Sequence, residues 1–260
     1  MKLEIVLVAI GLIIGMYAGG IITAFYMYQP QQATIEINAV PEGRPVTVTP
    51  FAGFGNLTNE SAKVIRVPAV DEDGNGVSTV LFVQAAPGSG RALVSIDNIL
   101  FFTDTQSSIR TAKKVAEDVT GMDTSKFDII YSIDAEASII EGPSAGAALT
   151  IATIAAIEGR DIRPGVTITG TVNHDGTIGP VGGILEKAAA AKEAGADTFL
   201  VPLGQGSQVS YRTERHCEQV GRTEVCTVEQ IPQKVNVESQ AGINIVEAGT
   251  IKEALEYFLE

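Results

Sequence analysis

The sequence predicts a mixed α/β fold, with helices packed on a mixed sheet, preceded by one transmembrane helix. The composition is aliphatic, with 45% hydrophobic residues, 27 glycines and no tryptophan, which is typical of such folds. Short apolar runs of strand length alternate with segments whose apolar residues recur at helical spacing. The first 28 residues carry almost no charge. The chain length of 260 residues leaves room for one membrane segment and one substantial domain.

Residues 1–29 are predicted to be a transmembrane anchor. The stretch Leu3–Tyr28 has one charge, Glu4, followed by about 24 uncharged residues, enough to cross a hydrocarbon layer of roughly 30 Å. Lys2 precedes the stretch and no basic residue follows it before position 41, so the positive-inside rule predicts a single-pass protein of the cell membrane with its domain on the extracytoplasmic side. The alternative is a cleaved signal peptide, although its apolar region would be shorter.

Residues 30–61 are predicted to be a proline-containing tether with short strands, leading into a domain over 62–260. Within the domain, Lys63–Val70 and Ser78–Ala85 are predicted strands joined by the acidic turn 71–76. A calcium loop would need a glutamate at its twelfth position, where Phe82 stands, so the turn favours a solvated hairpin.

The later elements follow from the same periodicity arguments. The segment Thr105–Thr120 places Ile109, Ala112, Val115, Ala116 and Val119 at the spacing of a buried helix face. The segment 204–237 is polar and is predicted to be an insertion. The remaining predicted elements are strands over Gly90–Asn98, Phe127–Ser132 and Thr198–Pro202, and a closing amphipathic helix over Ile251–Leu259.

A small-residue turn, Gly142–Gly146, runs directly into the apolar segment 147–157 and is the first candidate functional motif. Pro143 suits the first position of a helix, because the N–H that it lacks would have no partner there. Ser144 would then lie in the first turn, among backbone N–H groups without intrahelical acceptors. Negative charge developing near Ser144 would be stabilised at this helix start.

A second glycine-rich turn, Gly179–Gly183, precedes a helix predicted over Ile184–Ala194, with Lys187 near its start. A cation at that end opposes the helix dipole, and apolar neighbours one turn away favour its burial. Both effects lower the pKa of the Lys187 ammonium group and favour a neutral amine, which can act as a base.

Together these motifs and the strand-like stretch Val166–Gly170 resemble the proteolytic domain of Lon proteases. The separation 187 − 144 = 43 also resembles the serine-to-lysine spacing of that family. The resemblance implies that Ser144 is the nucleophile and Lys187 the general base. It also implies that the hydroxyl of Thr169, in the family's Thr-Gly pair, hydrogen-bonds the catalytic lysine. The implied activity is that of a serine endopeptidase with a Ser-Lys dyad.

The resemblance further implies polypeptide substrates and a homo-oligomer, and it suggests a hexamer. It implies no metal and no organic cofactor. Bacterial members have Lys-Asp where this chain has Ile140-Glu141, so these positions receive no catalytic role. Lon proteases usually carry an ATPase module, but the sequence contains no phosphate-binding loop, since 87–91 lacks the lysine. This chain alone is therefore expected not to hydrolyse ATP. The net charge of −13 argues against nucleic acid as a partner.

Two other functions are compatible with parts of the sequence. Gly142-x-Ser144-x-Gly146 also fits the nucleophile elbow of α/β-hydrolases, which would make the protein an esterase and would require His174 or His216 as the base. Alternatively, the glycine turn could bind a phosphate at a helix start in a non-catalytic, anchored binding module. Neither alternative explains the lysine motif.

Cys217 and Cys226 are the only cysteines, and nine residues separate them. A short hairpin closed by a disulfide suits this spacing in an oxidising compartment, and two free thiols are the alternative.

Overall fold

The computed structural model describes residues 62–94, 103–134, 142–220 and 223–259, which belong to one compact unit. The predicted anchor over 1–29 and tether over 30–61 lie outside these residues. Within the described ranges, none of the helices is both long enough and apolar enough to cross a membrane. The strands are β1 Ala62–Val70, β2 Gly76–Pro87, β3 Ala92–Val94, β4 Phe127–Asp134, β5 Val166–Ile168, β6 Thr171–Val172, β7 Ile178–Gly179, β8 Thr198–Pro202, β9 Ser207–Val220, β10 Thr223–Asn236 and β11 Asn244–Ala248. The α-helices are α1 Thr103–Thr120, α2 Gly146–Glu158, α3 Ile184–Glu193, α4 Val237–Ala241 and α5 Ile251–Phe258.

The larger sheet has four strands in the order β1-β2-β4-β3. Strands β1 and β2 form the predicted antiparallel hairpin, and β3 pairs parallel to β4. In the turn between β1 and β2, the carboxylate of Asp71 accepts hydrogen bonds from the backbone N–H groups of Asp73 and Asn75. This local pairing is typical of a turn-forming aspartate and accounts for the acidic residues there. The prediction of a hairpin is confirmed.

Helix α2 lies at the centre of the larger core. It is apolar on all sides, and only its last residue is not buried, as expected for a helix covered on every face. It packs against β1 and β2 on one side and against α1 and α5 on others. Helix α1 confirms the predicted core face, since Ile109, Ala112, Val115 and Ala116 are buried and Val119 packs against the same cluster.

A second sheet contains three parallel strands in the order β11-β8-β5. Strand β8 matches the predicted segment Thr198–Pro202, whereas β11 is not among the predicted elements. Helix α3 and this sheet share a smaller apolar cluster that includes Ile184, Ala188 and Phe199. Because α3 also packs against β1 and β2, it fills the space between the two sheets.

Two glycines permit the close approaches that bring these elements together. A Cβ atom on Gly76 would lie 2.0 Å from the carbonyl oxygen of Glu186, so any side chain there would push α3 away from the β1–β2 hairpin. A Cβ atom on Gly146 would lie 3.0 Å from the backbone nitrogen of Val172, where α2 begins beside β6. These close contacts fix the positions of the starts of α2 and α3 within the domain.

The predicted insertion over 204–237 is an ordered antiparallel hairpin formed by β9 and β10. It is longer than the short hairpin expected from the cysteine spacing, because each strand has 14 residues. Cys217 and Cys226 face each other across the hairpin and form a disulfide. Most of the hairpin's side chains are exposed, and its main contact with another described element is with α4, at its base.

Candidate active site

Ser144 lies in a short 3-10 turn, Pro143–Ala145, that leads into α2. Gly142 precedes the turn with φ of +95°, a conformation that residues with a side chain rarely adopt. Pro143 occupies the first helical position, as predicted. The sequence pattern placed Ser144 in the first turn of the α-helix, but the regular α-helix begins only at Gly146 and Ser144 lies in the 3-10 turn just before it. At such a helix start the first backbone N–H groups lack intrahelical acceptors, and the N–H of Ser144 is one of them.

The backbone of Ser144 is tied to the end of β5. Its carbonyl oxygen accepts hydrogen bonds from the N–H of Gly170 at 2.9 Å and from the hydroxyl of Thr169 at 3.3 Å. The N–H of Ala147 donates in return to the carbonyl oxygen of Gly170 at 3.0 Å. Three hydrogen bonds therefore join the start of α2 to the residues that follow β5.

Thr169 is fully buried and is the residue through which the other two candidates are connected. Its N–H donates to the carbonyl oxygen of Leu200 at 3.1 Å, which continues the pairing of β5 with β8. Its hydroxyl donates to Ser144 and accepts a hydrogen bond from Nζ of Lys187 at 3.4 Å. The contact between Thr169 and Lys187 is the one that the family resemblance implied.

Lys187 lies in the first turn of α3, and only 5% of it is exposed. Burial lowers the pKa of its ammonium group from 10.5 to about 8. About one Lys187 side chain in ten is then neutral at pH 7, compared with about three in ten thousand at the ordinary pKa. The predicted direction of the pKa shift is correct, and its cause is burial. Lys192, further along α3, is exposed.

Ser144 and Lys187 are brought to one site through Thr169. Among the described residues, no hydrogen bond joins the Ser144 hydroxyl directly to Nζ of Lys187. Such bonds are often long in the absence of substrate and shorten when one binds. The arrangement provides a hydroxyl at a helix start and a buried amine of lowered pKa, which are the two groups required for nucleophilic attack with base assistance.

Both histidines are exposed and lie on other parts of the fold. His174 lies in the turn between β6 and β7, as the sequence predicted. His216 lies on β9, where its Nε2 is 3.6 Å from the carboxylate of Glu214. Within the described part of the chain, neither histidine hydrogen-bonds to Ser144 or Lys187. The esterase alternative therefore lacks a base at the serine.

The described residues contain one group of side chains spaced to hold a metal ion, formed by Cys217, Glu224 and Cys226 on the hairpin. The two cysteine sulfurs are bonded to each other, so this group does not offer thiolate ligands. It belongs to the hairpin and contributes no residue to the site around Ser144.

Sequence reasoning missed two polar residues, one that holds the turn before α3 and one that holds the residues beside the first. Gln205 bonds the backbone of Val181 through both atoms of its side-chain amide. Glu247 accepts hydrogen bonds from the N–H groups of Gly204 and Gly206. No motif marks either residue, because their partners are backbone groups far away in the sequence.

Comparison with known proteins agrees with the family resemblance of the two motifs. The model of the Lon protease (S16) C-terminal proteolytic domain family matches residues 103–255, and the chain belongs to this family. The Lon protease of Phenylobacterium zucineum (strain HLK1) is 32% identical over 170 residues, which are 61% of this chain and 21% of that protein. The Lon protease of Methylocella silvestris (strain DSM 15510 / CIP 108128 / LMG 27833 / NCIMB 13906 / BL2) is 35% identical over 167 residues, covering 60% and 20%. The chain thus spans about a fifth of the length of these relatives.

Proposed function

We propose that this protein hydrolyses peptide bonds in polypeptide substrates with Ser144 as the nucleophile and Lys187 as the general base. The observation that carries the proposal is the pair of hydrogen bonds on Thr169, which connects a buried lysine of pKa about 8 to the residue bearing the nucleophile. Membership of the Lon proteolytic domain family supports the same assignment.

The reaction begins when the hydroxyl oxygen of Ser144 attacks the scissile carbonyl carbon and Nζ of Lys187 takes the hydroxyl proton. The N–H of Ser144 donates to the oxyanion, and such a donor is worth about 2.7–4 kcal/mol. Lys187 then passes the proton to the leaving amine. Water hydrolyses the resulting ester of Ser144, again with Lys187 as the base. Thr169 orients the amine throughout without exchanging a proton with the substrate.

The test is cleavage of an unfolded polypeptide by the whole chain and by its single variants. We expect Ser144→Ala and Lys187→Ala each to abolish cleavage, because each removes a group that changes its bonds in the reaction. Lys192→Ala is the matched control, since it removes an exposed lysine from the same helix. His174→Ala and His216→Ala should also remain active. Loss of activity in a histidine variant, with Lys187→Ala still active, would support the esterase alternative instead.

We propose that cleavage of unfolded polypeptides at this site needs no nucleotide bound by the chain. The support is the absence of a phosphate-binding loop from the sequence. The rate measured on an unfolded substrate should be unchanged when ATP and Mg²⁺ are added to the purified protein. Stimulation by ATP would show that a nucleotide site exists.

We also propose a membrane-anchored homo-oligomer whose proteolytic domain lies on the extracytoplasmic side. The support is the apolar stretch Leu3–Tyr28, the charge asymmetry around it and the Cys217–Cys226 disulfide, since disulfides persist mainly in oxidising compartments. Protease added to intact cells should digest the domain. Digestion only after lysis would exclude this orientation. Light scattering in detergent would measure the oligomer, for which the family resemblance suggests six copies.

A further inference from the structure

The segment that leads into α3 has little structure of its own to hold it. It runs from Gly179 to Gly183, and a Cβ atom on Gly182 would meet nothing within 4 Å. Gly183 has φ of +67° and its carbonyl oxygen accepts the N–H of Lys187 at 2.9 Å, which is the first hydrogen bond of the helix. The position of this segment therefore determines the position of the first turn of α3 and of Lys187 on that turn.

Gln205 holds the middle of that segment by two hydrogen bonds. Its Oε1 accepts the N–H of Val181 at 3.0 Å, and its Nε2 donates to the carbonyl oxygen of Val181 at 2.7 Å. One side-chain amide thereby satisfies both backbone groups of one residue, in the way that a neighbouring strand would. A side-chain amide offers both the acceptor and the donor that this pairing requires, whereas an ionised carboxylate offers acceptors only.

Glu247, on β11, in turn holds the residues on either side of Gln205. Its carboxylate accepts the N–H of Gly204 at 3.0 Å and the N–H of Gly206 at 2.7 Å. These two backbone hydrogen bonds, with Gly204 the larger contribution, lower the pKa of Glu247, so the carboxylate stays ionised near neutral pH. A Cβ atom on Gly206 would lie 2.8 Å from Oε1 of Glu247, so a side chain there would displace the carboxylate from its present position.

We propose that Gln205 is a positioning residue for Lys187 and that Glu247 fixes Gln205 in the orientation this requires. The contacts form a continuous series. Glu247 holds the turn 204–206, the Gln205 amide in that turn holds Val181, and the backbone continues from Val181 to the first turn of α3. The inference rests on the proposed role of Lys187 as the base. It adds two residues that touch neither the substrate nor the reacting atoms.

The inserted hairpin begins and ends at the turn that Glu247 holds. Strand β9 begins at Ser207, directly after the turn held by Glu247, and the chain returns from β10 to the same place, where the N–H of Val237 donates to the carbonyl oxygen of Gly206 at 3.1 Å. The hairpin is therefore anchored at the turn whose side chain holds the segment before Lys187.

The first measurement is steady-state cleavage of an unfolded polypeptide by Gln205→Ala and Gln205→Glu. We expect kcat to fall about 10- to 100-fold in both, with KM changed less than about 2-fold, because small displacements of a catalytic group have effects of this size. The Gln205→Glu variant should not have a higher kcat than Gln205→Ala, because a carboxylate has no donor for the Val181 carbonyl. Glu247→Gln should lower kcat in the same direction, because an amide has a single acceptor oxygen for two N–H donors.

The matched control is Gln233→Ala, which removes an exposed glutamine from β10 of the hairpin and should leave kcat unchanged. Thermal unfolding of each variant separates positioning from a general loss of structure. A kcat for Gln205→Ala within about 2-fold of the starting protein would overturn the inference, as would a loss that Gln205→Glu restores.

A readout independent of cleavage distinguishes this inference from the proposed function. The pKa of Lys187 can be followed by NMR of ¹³C-labelled lysine in the Ser144→Ala background, with Lys187→Ala used to assign the signal. Displacement of the first turn of α3 by Gln205→Ala should raise the pKa of Lys187 from about 8 toward 10.5. An unchanged pKa would overturn the positioning role. A starting protein that cleaves nothing would instead overturn the proposed function.

Discussion

The side-chain nitrogen of Lys187 lies 3.4 Å from the hydroxyl oxygen of Thr169, and both groups are buried. The same hydroxyl donates its hydrogen to the carbonyl oxygen of Ser144, so it must accept rather than donate in its contact with the lysine. Because the hydroxyl acts only as an acceptor towards Lys187, it can hydrogen-bond both the ammonium form and the neutral amine form of that side chain. The hydroxyl therefore suits an orienting role better than a role in proton transfer.

Replacing Thr169 by valine should reduce peptidase activity without abolishing it. Valine has nearly the same shape but removes the hydrogen bond to Nζ of Lys187, and a bond to a charged group is worth about 1.5–3 kcal/mol. Steady-state cleavage should show kcat lowered about 10- to 100-fold. Thr169→Ser keeps the hydroxyl and is the control, expected to retain most of the rate. Full activity in the valine variant would exclude the orienting role.

Peptidase activity should rise with pH through a single ionisation near 8. In the proposed mechanism the neutral form of Lys187 is the base. Burial holds the pKa of its ammonium group at about 8, so the neutral fraction grows as the pH increases from 7 to 9. The profile of kcat/KM against pH measures this ionisation. Lys187→Arg should be inactive over the whole range, because a guanidinium group remains charged. A rise centred between 6 and 7 would indicate a histidine instead.

Those parts of the fold and site that depend on local patterns could be predicted from the sequence. The β1–β2 hairpin, the core face of α1, strand β8 and the helix starts near Ser144 and Lys187 all follow from periodicity, turn residues and glycines within a short window. The pairing of Gln205 with Val181 could not be predicted. A side-chain amide can bind the backbone groups of any residue, so the pairing produces no recognisable residue spacing in the sequence. The parallel order β11-β8-β5 was missed for a related reason, since it depends on crossovers through α3 and the hairpin.

The 3-10 turn at Ser144 shows how tertiary contacts adjust a correct local prediction. Proline and small residues favour a helix start, but they do not specify its pitch. Here the carbonyl of Ser144 is held by two donors, Gly170 and Thr169, and the regular α-helix begins only after that contact. Partners outside the helix thus decided where the α-helix begins.

Reduction of the Cys217–Cys226 disulfide should loosen the hairpin and leave the core unchanged. A two-stranded hairpin is marginally stable alone, and this one packs mainly against α4 at its base. Denatured, unreduced protein should contain no reactive thiol, and reduced protein two. Hydrogen exchange should then accelerate in β9 and β10 but not in α2. Two thiols before reduction would exclude the disulfide, and faster exchange in α2 would show that the hairpin supports the core.

Replacing Lys187 by methionine should stabilise the domain while abolishing cleavage. At neutral pH the native state holds a charged ammonium group in a buried position, and lowering its pKa from 10.5 to about 8 corresponds to a cost of about 3 kcal/mol. Methionine fills a similar volume without that cost, so we expect a gain on the order of 1–3 kcal/mol in the free energy of unfolding, measured with denaturant at pH 7.

The pH dependence of that gain tests its cause. The unfolded lysine retains its proton up to about pH 10.5, whereas the native one loses it above about 8, so the penalty is fully present below pH 8 and disappears as the pH rises to 10.5. The advantage of Lys187→Met should therefore shrink over this window. Lys192→Met, at an exposed position on the same helix, should change stability by less than about 0.5 kcal/mol at every pH. A methionine variant no more stable than the starting protein at pH 7 would mean that Lys187 is not held as a penalised cation, and a different base would then have to be sought.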